Sequence, residues 1–393
     1  MPSDVSGVPL PFAVYVLGLA VFAQGTSEFM LAGLLPGIAA DLDVSVPAAG
    51  LLTSAFAAGM AVGAPLMSFL AHRSPRRRAL LAFLLAFVAA HVVGALAPGY
   101  ALLLVTRVAA AFANAGFWAV ALAAAVRMVP PGARARATAV VVGGVTVACV
   151  IGVPAGAALG GHWGWRSAFW AVALVSLPAV AAIARTIPDE RPDVPSPRRE
   201  LRVLRDRRVL LALLTNALVQ GATFCTFTYL APLATRVTGL DEARVPAILA
   251  LFGAGAFVGV ALGGRIADAH PAAAVLAGAG CLAAGWAALA LTAGNPAAAT
   301  VLVFVQGMLA FGTGPALIAG VLRAAAEAPA LAGGFATAAF NAGAVLGPWL
   351  GGSAIGAGLG HRSPAWASAL LMCLAVAVQA SALRAAAPAN AGR

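Results

Sequence analysis

Long apolar runs alternate with short polar segments along the whole chain. Each run holds roughly 20 residues, enough for a helix to cross ~30 Å of hydrocarbon at 1.5 Å per residue. The pattern predicts twelve membrane-spanning helices. The first six cover Pro11–Gly33, Pro47–Leu70, Ala79–Ala97, Ala101–Val126, Thr138–Gly161 and Trp165–Thr186. The second six cover Val209–Pro232, Val245–Ala267, Ala272–Ala293, Ala297–Leu322, Leu331–Ala357 and Pro364–Arg384.

The two sets of six runs match each other at a nearly constant offset. At a shift of 196 residues, matching pairs include Gln24 with Gln220, Phe56 with Phe252, Gly59 with Gly255 and Pro75 with Pro271. Farther along, the shift becomes 199 and pairs Arg107 with Gln306 and Asn114 with Thr313. Internal repeats of this kind are typical of secondary transporters. We therefore predict an all-α membrane protein with two pseudo-symmetric halves, residues 1–187 and 209–393, and a linker at 188–208.

Composition and charge support this class and predict an orientation. Hydrophobic residues make up 62% of the chain and charged residues 9%, which is outside the range of soluble domains. All 24 basic residues are Arg. With the N-terminus inside, nineteen of them lie in cytoplasmic segments and four outside, as the positive-inside rule requires. Both termini and the Pro188–Arg208 linker are thus predicted to be cytoplasmic, in the inner (plasma) membrane.

Several kinds of partner and processing are not expected. Arginines that flank membrane helices explain the net charge of +11 without a nucleic-acid partner. The first apolar run is too long for a cleaved signal peptide and should remain as a helix. The four cysteines lie singly in four spans, without the paired spacing of a disulfide or metal site: Cys149, Cys225, Cys281 and Cys373. We expect no metal and no cofactor.

Two charged residues stand out because they lie well inside predicted spans, Glu28 in the first and Arg107 in the fourth, whereas the other charges in the spans lie near their ends. Charges within a bilayer are rare and usually functional. If the first helix ends near Pro36, Glu28 lies eight residues, or ~12 Å, from its outer end. Arg107 lies six residues, or ~9 Å, from the same face if the fourth helix begins at Ala101. The similar depths predict that the two side chains can pair.

Two roles are open for this pair. Desolvation favours the protonated form of a buried carboxyl group and a nearby Arg favours the ionised form, so a change of conformation can bind or release a proton at Glu28. The alternative is a buried salt bridge that only orders the helices. We predict proton coupling by Glu28 and Arg107.

Polar residues at helical spacing predict a cavity beside these charges. Gln24 lies one turn before Glu28, and Arg107, Asn114 and Trp118 share one face of the fourth helix. Similar stripes recur in the second half. Such faces point to a cavity or to a neighbouring helix rather than to lipid, and interhelical hydrogen bonding is the alternative for each residue. The predicted cavity residues are Gln24, Asn114, Trp118, Asn216, Gln220, Thr223, Phe227, Gln306, Thr313 and Asn341.

Several motifs occur in the order and spacing of a known family. Residues 68–78 occupy the place of a Gly-x-x-x-Asp-Arg-x-Gly-Arg-Arg loop, with Ser68, His72 and Pro75 as departures from it. Thr106-Arg107 looks like a fourth-helix motif with a buried Arg, and Gly/Pro motifs follow in the fifth and eleventh helices. The chain resembles the twelve-helix drug:proton antiporters of the major facilitator superfamily along nearly its whole length. The resemblance assigns conformational roles to Arg73, Arg76, Arg77, Gly152, Pro154, Gly156, Asp268, Gly347, Pro348 and Gly351.

Three segments indicate a subgroup within this family. Residues 11–30, 49–56 and 160–170 are similar to actinomycete-type chloramphenicol exporters. The resemblance implies proton-coupled efflux of a small amphiphilic drug, chloramphenicol above all, by a monomer in the lipid bilayer, and hence antibiotic resistance. Related carriers on the same framework export sugars, nucleosides or other small metabolites, and this alternative stays open.

Two other classes fit the sequence less well. A membrane enzyme needs a cluster of nucleophile, base or metal ligands, but the five histidines are dispersed and only His91 lies mid-span. We interpret His91 as a hydrogen-bonded packing residue. A channel would need a ring of charges or a filter-like loop, and the chain has neither pattern.

Overall fold

The computed structural model describes residues 9–71, 74–130, 133–189, 206–269, 271–325 and 329–386. Within these ranges all regular structure is helical. The first half contains α1 (Phe12–Phe29), α2 (Leu31–Asp41), α3 (Val46–Ala71), α4 (Arg76–Ala95), α5 (Tyr100–Arg127), α6 (Arg134–Val147), α7 (Val153–Trp163) and α8 (Trp165–Thr186). The second half contains α9 (Arg207–Thr228), α10 (Leu230–Arg236), α11 (Val245–Ala269), α12 (Pro271–Thr292), α13 (Pro296–Ala324), α14 (Pro329–Gly356) and α15 (Ser363–Ala386).

These helices account for all twelve predicted spans. Eleven helical segments of the described residues are long and apolar enough to cross a membrane. The 28-residue helix α14 lies at the position predicted for the eleventh span in chain order. Three spans are interrupted: α1 and α2 meet at Met30, α9 and α10 meet at Tyr229, and a π-helical turn, Ala148–Gly152, joins α6 to α7.

One predicted boundary is wrong. We expected the first span to end near Pro36, but Pro36 lies inside α2 and the helix continues to Asp41. A proline removes only one backbone donor, which a membrane helix tolerates. Glu28 therefore lies thirteen residues, or ~20 Å along the helix, from the outer end, rather than eight. The Pro188–Arg208 linker falls largely on residues 190–205, outside the described ranges, so the domain boundaries stay a prediction.

Glycines set the close packing within each half. A Cβ atom at Gly152 would collide with the Thr26 side chain, and one at Gly156 would meet Met30, so α7 and the π-helical turn lie directly against the first span. In the second half, Gly347 and Gly351 lie in the same way against the backbone of α9. The π-helical turn comes directly before Pro154, which occupies the first turn of α7 where its missing N–H costs least.

The halves are joined at the face opposite the chain termini. The Tyr229 ring fills the space beside Gly50 of the first half, while its hydroxyl donates to the Pro348 carbonyl oxygen of its own half at 2.8 Å and the ring also lies against Gly352. The Ser54 hydroxyl donates to the Val345 carbonyl oxygen at 2.8 Å, which ties α3 to α14. We call the contacts of Tyr229 with Gly50, Pro348 and Gly352 the tyrosine contact.

Toward the face where α1 begins, the halves separate on one side. The first part of α11 packs along α7 and the π-helical turn, and beyond that contact a cleft of about 650 Å³ lies between α1, α6 and α11. Its walls are almost wholly apolar and include Leu19, Phe22, Val140, Ile151 and Phe257. The protein is thus closed at the face opposite the termini and partly open at the terminal face.

The arginines after the second span contact the end of the first half. Arg77 and Arg78 lie 3.6 Å and 3.4 Å from the Asp189 carboxylate, and Arg76 is buried at the start of α4. Of the other residues in the predicted loop motifs, Arg73 lies outside the described residues. Asp268 is part of α11, and its side chain is outside the described part.

A polar cluster closes the end of the first half that lies opposite the start of α1. The Asp41 carboxylate at the end of α2 accepts hydrogen bonds from Arg166 and, at 3.0 Å, from Trp165 Nε1. Arg166 also donates to the Ala97 carbonyl oxygen at 3.0 Å. The Arg166 hydrogen bond, with that of Trp165, holds the pKa of Asp41 below its ordinary value of 3.8.

The first prediction concerns this cluster. Because the pKa of Asp41 is lowered by folding, its stabilising effect is complete at neutral pH and is lost as the pH falls through the lowered pKa. Asp41→Asn should lower the Tm of the detergent-solubilised protein at pH 7 by about 1–2 °C, since both charges are substantially exposed. Glu242→Gln, which removes another exposed acidic group, is the matched control. An unchanged Tm for Asp41→Asn, or an equal loss in the control, would contradict the prediction.

Candidate functional site

Arg107 is almost completely buried among helices of the first half, with 1% of its surface exposed. Its Nη1 donates to Ser27 Oγ at 2.8 Å and its Nη2 donates to the Ser27 carbonyl oxygen at 3.0 Å. The guanidinium carbon lies 4.4 Å from the ring centre of Phe56, within the range of a cation–π contact. The charge is thus held by α1 and α3 rather than exposed to lipid.

His91 completes a hydrogen-bond chain with these groups. His91 Nδ1 lies 2.8 Å from the Phe87 carbonyl oxygen, which can only accept, so Nδ1 bears the proton. His91 Nε2 lies 2.6 Å from Ser27 Oγ and can then accept the serine hydroxyl proton. Arg107, Ser27, His91 and Phe87 form one directed chain in which an uncharged imidazole gives each hydrogen an acceptor. The hydrogen-bonded role predicted for His91 agrees with this arrangement.

Glu28 does not join this chain. Its side chain is only partly buried, and none of the described residues donates a hydrogen bond or forms a salt bridge to its carboxylate. Neighbouring residues of a helix point about 100° apart, so Ser27 contacts Arg107 directly, whereas Glu28 interacts with its charge only from a distance. The direct pairing of Glu28 with Arg107 that we expected is absent from this conformation.

Two buried amides lie along the same helices as Arg107 and Ser27. Gln24 on α1 and Asn114 on α5 have no exposed surface, and both polar atoms of each side chain lack a hydrogen-bond partner among the described residues. Arg107 Nε is unpaired as well. Native proteins rarely leave such groups unsatisfied, so unpaired amides of this kind are suited to hold water or a polar ligand. Trp118, farther along α5, is partly buried and packs against the core of the first half.

The predicted cavity residues of the second half fall into two groups. Asn216 donates to the Ala336 carbonyl oxygen at 3.0 Å across the α9–α14 seam, and Asn341 donates to Thr337 of its own helix at 2.9 Å. Gln220 and Thr223 are buried on α9. Two other residues face α12 instead, namely Gln306, which donates to Leu282, and Thr313, which lies against Gly278. From repeat symmetry we predicted that Gln306 and Thr313 line the cavity. The structure instead packs both against α12, inside the second half.

Phe227 belongs to an aromatic cluster that the polar pattern did not indicate. Its members come from five helices, and we call it the phenylalanine cluster: Phe29, Phe224, Phe227, Phe252, Phe311 and Phe340. Only Phe29 comes from the first half, and it directly follows Glu28. The sequence signal was the pair Phe224 and Phe227 at helical spacing, which is common in membrane helices and therefore weak.

The comparisons with known proteins decide the family. The family model of the major facilitator superfamily matches residues 17–333 of the chain. This protein belongs to the major facilitator superfamily. The predicted family, the all-helical twelve-span fold and the transporter class, as opposed to an enzyme, are thereby confirmed.

Individual relatives of this major facilitator protein are similar to it along most of its length. A chloramphenicol resistance protein of Streptomyces lividans is 49% identical over 392 residues, 98% of this chain and 100% of that protein. The inner membrane transport protein YdhP of Escherichia coli is 36% identical over 354 residues, 89% of this chain and 90% of the relative. A bacterial homologue of the human lysosomal transporter Spinster, solved in an inward-facing and occupied conformation, superposes with a TM-score of 0.79. That structure is 18% identical, and the match covers 95% of this chain and 96% of that one.

The second prediction concerns Ser27, which lies at the centre of the hydrogen-bond chain between Arg107 and His91. Ser27→Ala should leave His91 Nε2 and one Arg107 N–H buried without partners, at a cost of about 3 kcal/mol. The Tm in detergent should fall by about 5 °C or more. Ser176→Ala is the matched control, because Ser176 is equally buried but bonds only the Val172 carbonyl oxygen of its own helix. If the Tm of both variants falls by the same small amount, Ser27 does not hold this hydrogen-bond chain together.

Proposed function

We propose that this transporter exports a small amphiphilic drug, chloramphenicol or a related phenicol, in exchange for protons, and so confers resistance. The observation that supports proton exchange is the position of Glu28. It is the one acidic residue within the twelve predicted spans, it is partly exposed, and it is adjacent to the serine that holds Arg107. The similarity to the Streptomyces lividans protein supports the choice of cargo.

The coupling follows from how a carboxyl group responds to its surroundings. A carboxylate left without hydrogen bonds in a desolvated site favours its protonated form, and a nearby guanidinium favours the ionised form. In the present conformation Ser27, rather than Glu28, accepts from Arg107. A rotation of α1 that brought Glu28 toward Arg107 would release a proton, and the reverse rotation would let one bind. The rocking of the halves thus alternates the charge of Glu28.

The orientation of the protein gives this cycle its direction. We infer that both termini are cytoplasmic, because the arginine asymmetry favours it. The tyrosine contact then closes the outer face, and the apolar cleft between α1, α6 and α11 opens toward the cytoplasmic half of the membrane. A drug dissolved in the cytoplasm or in the inner leaflet can enter from that side. One chain contains both halves, so a monomer suffices.

A second cargo class is favoured by a specific observation. The unpaired amides of Gln24 and Asn114 offer both donors and acceptors, as a sugar or nucleoside would require. The phenylalanine cluster favours an aryl compound instead. Uptake of chloramphenicol and of a labelled pentose by the same proteoliposomes distinguishes the two cargoes.

The third prediction assigns proton coupling to Glu28. Glu28→Gln keeps the shape of the side chain but removes its titration, so chloramphenicol transport driven by an imposed pH gradient should fall to about the level of empty vesicles. Drug binding should remain, since the amide preserves the polar contacts. Uphill transport at the wild-type rate would show that Glu28 is structural. Glu242→Gln is the control for the loss of an acidic group outside the spans.

Variants of Arg107 separate coupling from scaffolding. Arg107→Lys keeps the charge but loses the planar fork that reaches Ser27 Oγ and its carbonyl oxygen, and it should retain partial transport. Arg107→Ala should lose nearly all transport. If Arg107 acts on Glu28, the pH dependence of drug binding should shift in Arg107→Ala and disappear in Glu28→Gln. A weaker but unshifted pH profile in Arg107→Ala would assign Arg107 to the scaffold.

The fourth prediction concerns topology. Ser196 lies in the predicted cytoplasmic linker. In a variant without the four native cysteines, Ser196→Cys should react with a membrane-impermeant maleimide only after the cells are permeabilised. Ala243→Cys, at an exposed position of the predicted outer loop between α10 and α11, serves as the accessible control. Labelling of position 196 in intact cells would reverse the orientation.

A further inference from the structure

We propose that the ring of Phe29 occupies the position that the aromatic ring of the substrate takes during transport, so that binding exchanges one ring for the other. The substrate class is a compact amphiphile with one aryl ring. This inference deepens the proposed drug export and rests on it. It assigns the phenylalanine cluster as the aryl-binding part of the site and Phe29 as the residue that fills it when no substrate is bound.

The contacts of Phe29 resemble those of a bound aromatic ligand. Its ring is stacked on Phe224 with 5.6 Å between centroids and 19° between planes. The Phe227 ring meets it edge-on at 6.1 Å and 76°, and Phe311 lies at 6.4 Å. Offset stacking and edge-to-face contacts at these separations are the preferred aromatic geometries. Phe29 is 95% buried, and the three rings that contact it all belong to the opposite half.

The receiving rings would remain in place without Phe29. Phe224 contacts Phe340 at 5.8 Å, Phe227 contacts Phe252 at 4.7 Å, and Phe252 contacts Phe311 at 6.2 Å. These contacts join α9, α11, α13 and α14 within the second half. The second half therefore presents a pre-formed aromatic surface, and the first half supplies one ring to it.

The position of Phe29 in the chain allows it to leave. It is the last residue of α1, and the helix is interrupted at the next residue, Met30, before α2 begins. A change at this interruption moves the ring without moving the whole span. Phe311 and Phe340 keep partial exposure, so the cluster can be approached from the space between the halves.

The exchange explains how cargo and proton affect one another. Glu28 and Phe29 are consecutive, so displacement of the Phe29 ring turns the end of α1 and changes the surroundings of the Glu28 carboxylate. A ligand with an aryl ring displaces Phe29 and a sugar does not, which makes the coupling selective for aromatic cargo.

The test measures chloramphenicol binding to the purified full-length chain by equilibrium dialysis. Phe29→Ala removes the competing ring and should bind chloramphenicol about tenfold more tightly, and Phe29→Leu should bind it more tightly as well. Phe224→Leu should bind it about tenfold more weakly, because it removes the stacking partner. Phe12→Ala, an exposed phenylalanine at the start of α1, should match the wild type. Unchanged or weaker binding by both Phe29 variants overturns the proposal.

A second measurement follows the position of residue 29 rather than the affinity. In a chain without native cysteines, Phe29→Cys should react faster with an apolar thiol reagent when chloramphenicol is present, because the aryl ring of the drug then fills the place beside Phe224 and Phe227 and turns the end of α1 away from the cluster. Protection by the drug would show that it binds over position 29 and would overturn the exchange. If the wild-type chain neither binds nor transports chloramphenicol, both the proposed function and this inference fail. If it does both while the Phe29 variants bind unchanged, only the inference fails.

Discussion

The arrangement of the first half depends on the cost of keeping one guanidinium charge inside the membrane. Arg107 cannot reach water from its place on α5, so its hydrogen bonds must end on protein groups. Ser27 supplies two of them from α1, and His91 on α4 orients the serine hydroxyl. Three helices are thereby fixed around one charge, while the carboxylate next to Ser27 is left without a partner. The residue that anchors Arg107, Ser27, and the proposed proton site, Glu28, thus lie on different faces of the same helix, α1.

The interruptions in the first and seventh spans give each half an aromatic residue to place in the other. Phe29 ends α1 and packs among rings of the second half, while Tyr229, between α9 and α10, is buried in the core of the first half. The two residues act at different depths. Tyr229 lies at the closed face, where it donates to Pro348, whereas Phe29 lies beside the titratable residue. The broken helices thus position the contacts that must change when the halves move.

The fold was predictable from the sequence, and the site was predictable only in part. Apolar runs and the internal repeat are strong signals because the bilayer accepts little else than helices. The buried charge Arg107 was found for the same reason. Its partner was not, because Ser27 is one residue from the more conspicuous Glu28 and only the rotation of the helix decides which one faces α5. Gln306 and Thr313 show the limit of repeat symmetry, since the second half turned the matching positions toward α12.

The tyrosine contact also fixes an energy threshold for the working cycle. Tyr229 fits because Gly50 and Gly352 have no side chains, so opening this face uncovers a large ring from Gly50 and breaks the hydrogen bond from Ser54 to the Val345 carbonyl oxygen. A ligand shifts the protein toward the open arrangement of this face only to the extent that it binds that arrangement more tightly than the closed one. Each 1.4 kcal/mol of such preference shifts the ratio of the two states about tenfold. The contact of Tyr229 with Gly50 and the hydrogen bond from Ser54 to Val345 therefore contribute to how much of the binding energy of a cargo is consumed by movement rather than retained as affinity.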